Sequence, residues 1–381
     1  MLAVVFVTSA ARAQTPLEAD VMREVSSAVR PVMKQYAIPG MAVGITIDGR
    51  HYLADFGVAS VATGARVTPD TLFEIGSLTK TFTATLVAYA RRTGKLSLAD
   101  RVSDDLPELR GSAFDKIRLI NLGTHTAGGL PLQFPDDVKS DTDAIAYYKK
   151  WKPSEPPGTT RLYSNPSIML LGLIAARRLH EDFATAMQSV VLHPLGMRNT
   201  FLNMPRAVRA RYAQGYTDNG TPHRVDLGPL AFEAYGVRTS ASDMLRFLDA
   251  NLGSNDSRSI FGNAIGDTHI GYFRIGRMTQ DLIWEQYPEP ASLSDVLSGK
   301  SKKITFEGTP AVKIQPPSAP KSDVYIDKSG STSGFSAYAA FSPSRKVGIV
   351  LLANRSFPNA ARVAAAYRVL SRLRDYLPRR R

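Results

Sequence analysis

Both ends of this 381-residue chain carry the same kind of unit, a helix joined to a β-hairpin, and that duplication limits the possible folds sharply. At the N-terminal end, Leu17 to Tyr36 reads as a helix that Pro39-Gly40 ends. Met41 to Ile47 is rich in apolar and β-branched residues, Asp48-Gly49 tolerates the positive φ of a type I′ turn, and Arg50 to Phe56 returns as the partner strand. At the other end, Phe335 to Phe341 alternates, Pro343-Ser344 turns the chain, and Val347 to Ala353 is an apolar run of the buried-strand type. A closing helix runs from about Asn359 to Leu377, with Val363, Tyr367, Leu370 and Leu373 at helical spacing. Hairpins with an apolar face must bury it. The simplest solution brings the chain ends together in one antiparallel sheet flanked by helices, an α/β fold with a mostly helical region inserted. The expected division is 14–80 and 300–381 for the sheet region and 81–299 for the helical, loop-rich region, in one unit overall. Asp295 to Lys321, with several Lys, Ser and Pro, reads as a surface excursion.

Composition removes several function classes. Without cysteine there is no disulfide, thiol nucleophile or Cys-ligated zinc or iron–sulfur site. No apolar run reaches the ~18 residues of a membrane helix, so no membrane span is expected. The chain has 47 basic and 34 acidic residues, a net charge of +13. Six arginines and one aspartate between Arg368 and Arg381 supply +5 of it, and the rest is spread thinly. A diffuse positive field suits a small anionic substrate, and no nucleic-acid partner is expected. Leu2 to Val7 is apolar, and Ala11-Arg12-Ala13 precedes Gln14 as an A-x-A cleavage site would. Residues 1–13 are therefore expected to be a signal-peptide remnant of an exported, periplasmic protein.

Chemistry concentrates in three places. Gly76-Ser77 opens a helix whose Leu78, Phe82, Leu86 and Tyr89 recur at helical spacing. Ser77 and Lys80 are three residues apart and share a face, so hydroxyl and amine can meet. A desolvated lysine can accept the serine proton, which makes a nucleophile of Ser77. The same Ser-x-x-Lys spacing recurs at Ser318 to Lys321, where the surrounding prolines make a loop. Tyr163-Ser164-Asn165 enters a helix ahead of the apolar run Ile168 to Ile174. There a tyrosine can shuttle protons and an asparagine amide can hold a carbonyl. Lys328-Ser329-Gly330 precedes the strand that starts near Phe335, offering a fixed cation and close backbone approach. Of six histidines only His125 lies near these motifs; no His-x-x-x-His or His-Glu-x-x-His occurs, and no metal or other cofactor is expected.

In order and local context the three elements resemble the serine β-lactamase and penicillin-recognising superfamily, and within it the class C β-lactamases. The second motif begins with tyrosine, and no Glu-x-x-Leu-Asn of the class A kind occurs. Thr126 to Gln133, Pro157 to Tyr163, His193 to Met197, Glu233 to Val237, Leu352 to Arg355 and Pro358 to Val363 are similar to family segments, so the likeness spans about Leu17 to Leu377. The resemblance implies Ser77 as the acylated nucleophile, Lys80 as its partner, and Tyr163 in proton transfer during acylation and deacylation. It implies an oxyanion hole from the backbone N–H groups of Ser77 and Ser331. Gln133 and Asn165 would bind the acyl side-chain amide. Lys328, Ser329, Gly330 and Asn359 would receive a substrate carboxylate, with Arg362 adding positive potential. Ser329 stands where the family usually has threonine, and Ser356 where it commonly has a second asparagine.

The expected activity is hydrolysis of a small β-lactam substrate, with a monomer as the default state. A D-alanyl-D-alanine carboxypeptidase acting on peptidoglycan-type peptides, a short-chain esterase, or a penicillin-binding protein that deacylates slowly would share the same nucleophile.

Overall fold

A computed structural model of the chain describes residues 16–253 and 259–373. The expected signal remnant at 1–13 and the arginine-rich end beyond 373 lie outside the described residues. Helix α1 (Pro16–Gln35) leads into the hairpin of β1 (Gly40–Ile47) and β2 (Arg50–Gly57). Asp48 and Gly49 turn it with φ of 48° and 79°, both positive as a type I′ turn requires. Helices α2 (Thr79–Arg92), α3 (Asn165–Arg178) and α4 (Ala241–Asn251) form much of the middle of the chain. Strands β3 (Gly271–Ile275), β4 (Met278–Gln280) and β5 (Glu285–Pro288) follow, then β6 (Val312–Ser318), β7 (Val324–Ser331), β8 (Ser336–Ser342), β9 (Val347–Ala353) and helix α5 (Asn359–Arg372).

These nine strands make one antiparallel sheet in the order β6-β3-β4-β5-β7-β8-β9-β1-β2. The chain ends meet in it as expected, with β1 against β9 and Met41 opposite Ala353. Period-2 alternation decides what each face packs against. Met41, Val43 and Ile45 of β1, with Ile349 and Leu351 of β9, face Val21, Val25 and Val29 of α1 and Val363, Val369 and Leu370 of α5. Ala42, Val350 and Leu352 join the core shared with the helical region, where the Phe82 and Phe247 rings stack 4.1 Å apart. A Cβ on Gly44 would come 2.9 Å from Leu245 Cγ, so α4 lies directly on β1. Burial on both faces explains the unbroken apolar runs of β1 and β9.

Two expectations need correction. Residues 271–288, assigned to the helical region, form three strands of the main sheet. The excursion 295–321 is largely exposed as expected, but it contains the edge strand β6 and the buried side chain of Lys300. Lys328-Ser329-Gly330 is the end of a strand of its own, β7, paired with β8 and β5. At the second Ser-x-x-Lys site, Ser318 ends the edge strand and Lys321 is exposed, so no helical face unites them.

Candidate active site

Gly76 to Leu78 forms one 3₁₀ turn that runs into α2. From 71 to 80 every residue is buried except Ser77, which is half-buried and opens on a cleft. Lys80, one turn on, is fully buried, and its Nζ donates to Ser77 Oγ at 2.9 Å and to the Ala234 carbonyl at 2.9 Å. Burial pushes the ammonium down to about 8; nearby Tyr163 opposes the shift and Lys328 adds to it. The shift brings the neutral amine, the form that can take the Ser77 proton, within reach near neutral pH.

Tyr163 stands between cations: Lys80 Nζ lies 5.2 Å and Lys328 Nζ 5.1 Å from its ring centroid, with the Arg161 guanidinium at 5.8 Å. Its hydroxyl is buried and has no hydrogen-bond partner of good geometry. Ser164 caps α3, accepting from Ser167 N–H, so Asn165 is free to face the cleft rather than serving as the cap. Asn165 N donates to Leu132 O at 3.0 Å, which ties the loop bearing exposed Gln133 to the start of α3. Asn165 Oδ1, like Tyr163 Oη, is buried without a partner.

The end of β7 lies against the Ser77 turn backbone to backbone. Gly76 has φ of 50°, and a Cβ there would sit 2.6 Å from Ser331 N; one on Gly330 would sit 1.9 Å from Ile75 O. Only glycine permits this approach, which brings the Ser77 and Ser331 segments side by side. Lys328 is buried and pushed down to about 8, by burial first; Glu285 and Asp327 oppose the shift, while Lys300 and Arg161 add to it. Its Nζ donates to Ser329 O at 2.8 Å. Asn359 Nδ2 donates to Ser329 Oγ at 3.3 Å and leaves its Oδ1 unpaired. Arg362 is buried and works as a brace. It donates to Gly330 O at 2.6 Å, Ser331 Oγ at 2.8 Å and Phe357 O at 3.3 Å, and burial pushes it down to about 9. Its charge stays near the cleft, but its donors hold the strand end.

Sequence reasoning missed three residues around this site, Arg161, Glu285 and Lys300, and noted His125 only as lying near the motifs. His125, with φ of 58°, packs its ring 4.3 Å from that of Tyr163 and accepts from Ser164 N–H at Nδ1, 3.3 Å away; its carbonyl accepts from Leu162 N–H. Burial first, then Arg161, Lys80 and Lys328, holds its imidazole well below the usual range and so neutral. Arg161, Glu285 and Lys300 form buried ion pairs beside Lys328. Nothing local marks these three, because their partners lie 15 to 124 residues away in sequence.

All of these elements converge on a cleft of about 580 Å³, lined by Ser77, Gln133, Tyr163, Asn165, Lys328 to Ser331, Asn359 and Arg362 among others. A serine–lysine pair, the Ser77 and Ser331 backbone side by side, and a cationic end suit acyl transfer from an anionic carbonyl substrate. Among the described residues no group of acidic or histidine side chains is placed to hold a metal ion, and no helix is long and apolar enough to cross a membrane.

A family model described as Beta-lactamase matches residues 25–374. A beta-lactamase of Lysobacter lactamgenus is 47% identical over 360 residues, 94% of either chain. Among solved structures, the D-alanine carboxypeptidase AmpC of Burkholderia cenocepacia is 50% identical with a TM-score of 0.89, covering 93% of this chain and 99% of its own. A class C beta-lactamase in complex with cefoxitin is 44% identical with a TM-score of 0.91 over the same shares. Likeness of this depth along nearly the whole chain, around a cleft in which buried Lys80 contacts Ser77, makes this protein a member of the beta-lactamase family, built on the class C pattern.

Proposed function

We propose that the protein hydrolyses the amide bond of β-lactam antibiotics through a covalent acyl-enzyme on Ser77. The contact between buried Lys80 and Ser77 carries this reading. Ser77 Oγ bonds to the lactam carbonyl carbon, and its proton passes by way of Lys80 and Tyr163 to the lactam nitrogen as the C–N bond breaks. The N–H groups of Ser77 and Ser331 take up the charge on the tetrahedral oxygen. Water then attacks the ester, Lys80 and Tyr163 relaying its proton back to Ser77 Oγ. Gln133 and Asn165 hold the acyl side-chain amide, while Lys328, Ser329 and Asn359 receive the carboxylate. The cleft is lined by residues of one chain, which supports a monomer as the working unit. The Ala11-Arg12-Ala13 pattern supports export to the periplasm, and N-terminal sequencing of secreted enzyme should begin at Gln14.

The name of the 50% identical structure favours a second reading, release of D-alanine from peptidoglycan-type peptides by the same nucleophile. Side-by-side kcat/KM for a cephalosporin and a D-alanyl-D-alanine peptide tests this, and the main reading expects the cephalosporin to lead by at least about a hundredfold, or ~2.7 kcal/mol. A faster peptide would overturn it.

Lys328→Ala should raise KM for carboxylate-bearing β-lactams by about tenfold or more while changing turnover of an uncharged ester little, since a charge-assisted contact contributes ~1.5–3 kcal/mol. The pH dependence follows from the same group. Lys328 is cationic below about 8, so kcat/KM for a carboxylate substrate should fall as pH rises past that value. For the uncharged ester it should keep rising as Lys80 loses its proton over the same range. Equal profiles for both substrates would take Lys328 out of carboxylate binding.

A further inference from the structure

Asp327 of β7 and Glu285 of β5 are direct partners across the antiparallel ladder, and both side chains are buried. Like charges facing each other in a sheet push the strands apart. Here a third side chain lies between them: Lys300 Nζ donates to Asp327 Oδ1 at 2.7 Å and also to Glu285 Oε2. Arg161 holds the other Glu285 oxygen at 2.8 Å, and the Tyr338 hydroxyl donates to Asp327 Oδ2 at 2.6 Å. The two cations and two carboxylates balance, with Lys328 the next residue along β7. Lys300 comes from the segment between the short helices Leu293–Ser298 and Lys302–Phe306, and Gly299, Lys302 and Phe306 of that segment line the same cleft as Lys328 and Ser329.

We propose that Lys300, bridging Asp327 and Glu285, is a positioning residue for the end of the cleft that receives the substrate carboxylate: it anchors the 299–306 wall to β7 and balances the charge behind Lys328. The proposal rests on the carboxylate-binding role given to Lys328 above. The charged and titratable groups around Lys328 come from every neighbouring element. They are Lys80 on α2, neutral His125 and cationic Arg161, Tyr163 ahead of α3, Glu285 on β5, Lys300, and Asp327 on its own strand. Removing Asp327's charge alone leaves this set one unit more positive, so Lys328 gives up its proton more readily. Removing Lys300 as well restores the balance.

The test measures kcat/KM against pH for a carboxylate-bearing cephalosporin and an uncharged ester, using wild type, Asp327→Asn, Lys300→Met and the double variant. In Asp327→Asn the alkaline fall for the cephalosporin should move to lower pH by about half a unit. In the double variant it should return close to the wild-type position. Lys300→Met should raise KM for the cephalosporin about tenfold, with the ester changed much less. An unmoved profile in Asp327→Asn, a further fall in the double variant, or equal changes for both substrates would overturn the proposal and leave the cluster a folding element. Should Lys300→Met fail to fold, Asp327→Asn and the charge-balanced double variant still decide it. A wild-type enzyme that does not favour the carboxylate substrate would instead overturn the reading of Lys328.

Discussion

Replacing Ser77 with alanine should abolish covalent labelling by β-lactams and lower kcat by about five orders of magnitude, with the fold unchanged. The chemistry needs an oxygen nucleophile at this spot, and of the cleft's hydroxyls it is Ser77 Oγ that buried Lys80 contacts. The structure needs it much less. Lys80 would lose its contact to Ser77 Oγ but keep its bond to the Ala234 carbonyl, and Ser77 is the half-exposed residue of an otherwise buried stretch. An alanine variant with wild-type melting and no adduct in intact-mass spectra is the expected outcome. Undiminished labelling would remove Ser77 from the mechanism.

Tyr163→Phe should slow turnover by about a thousandfold without lowering thermal stability. The two halves of this prediction have separate causes. The phenol ring packs on His125 and faces the ammonium groups of Lys80 and Lys328, contacts that a phenyl ring keeps. The hydroxyl interacts with Lys80, whose ammonium keeps its bonds to Ser77 Oγ and the Ala234 carbonyl when the hydroxyl is removed, so the fold loses little. Its value lies in the proton relay between Lys80, the lactam nitrogen and water. Stopped-flow kinetics beside a melting curve separates the two. A variant that loses activity and stability together would make Tyr163 a packing residue, and wild-type turnover would remove it from the relay.

The terminal hairpins were legible in the sequence because their alternation and turn chemistry are local. Met41 to Ile47 and Val347 to Ala353 announce strands buried on both faces, and Asp48-Gly49 announces the turn. Ser77 and Lys80 were legible for a similar reason, since helical spacing alone puts them on one face. Strands β4, β5 and β7 were missed because buried polar residues interrupt their apolar pattern, and β3 because it is only five residues long. Gln280, Glu285, Gln286, Asp327 and Lys328 look like surface residues until their partners are known. For Gln280 and Glu285 a charged partner is Arg161, more than a hundred residues away, and no short window contains those pairs. Arg362 shows the converse case: its sequence context marked it as belonging to the site, but whether its charge binds a ligand or braces Gly330 and Ser331 depends on contacts only the fold reveals.

The most direct test of the central claim is turnover of a chromogenic cephalosporin by the purified protein, with intact-mass and peptide mapping of the same mixture under rapid quench. Fast hydrolysis with a transient adduct on the peptide containing Ser77 is the expected result. A stable stoichiometric adduct without turnover, or hydrolysis with the adduct on another residue, would contradict it.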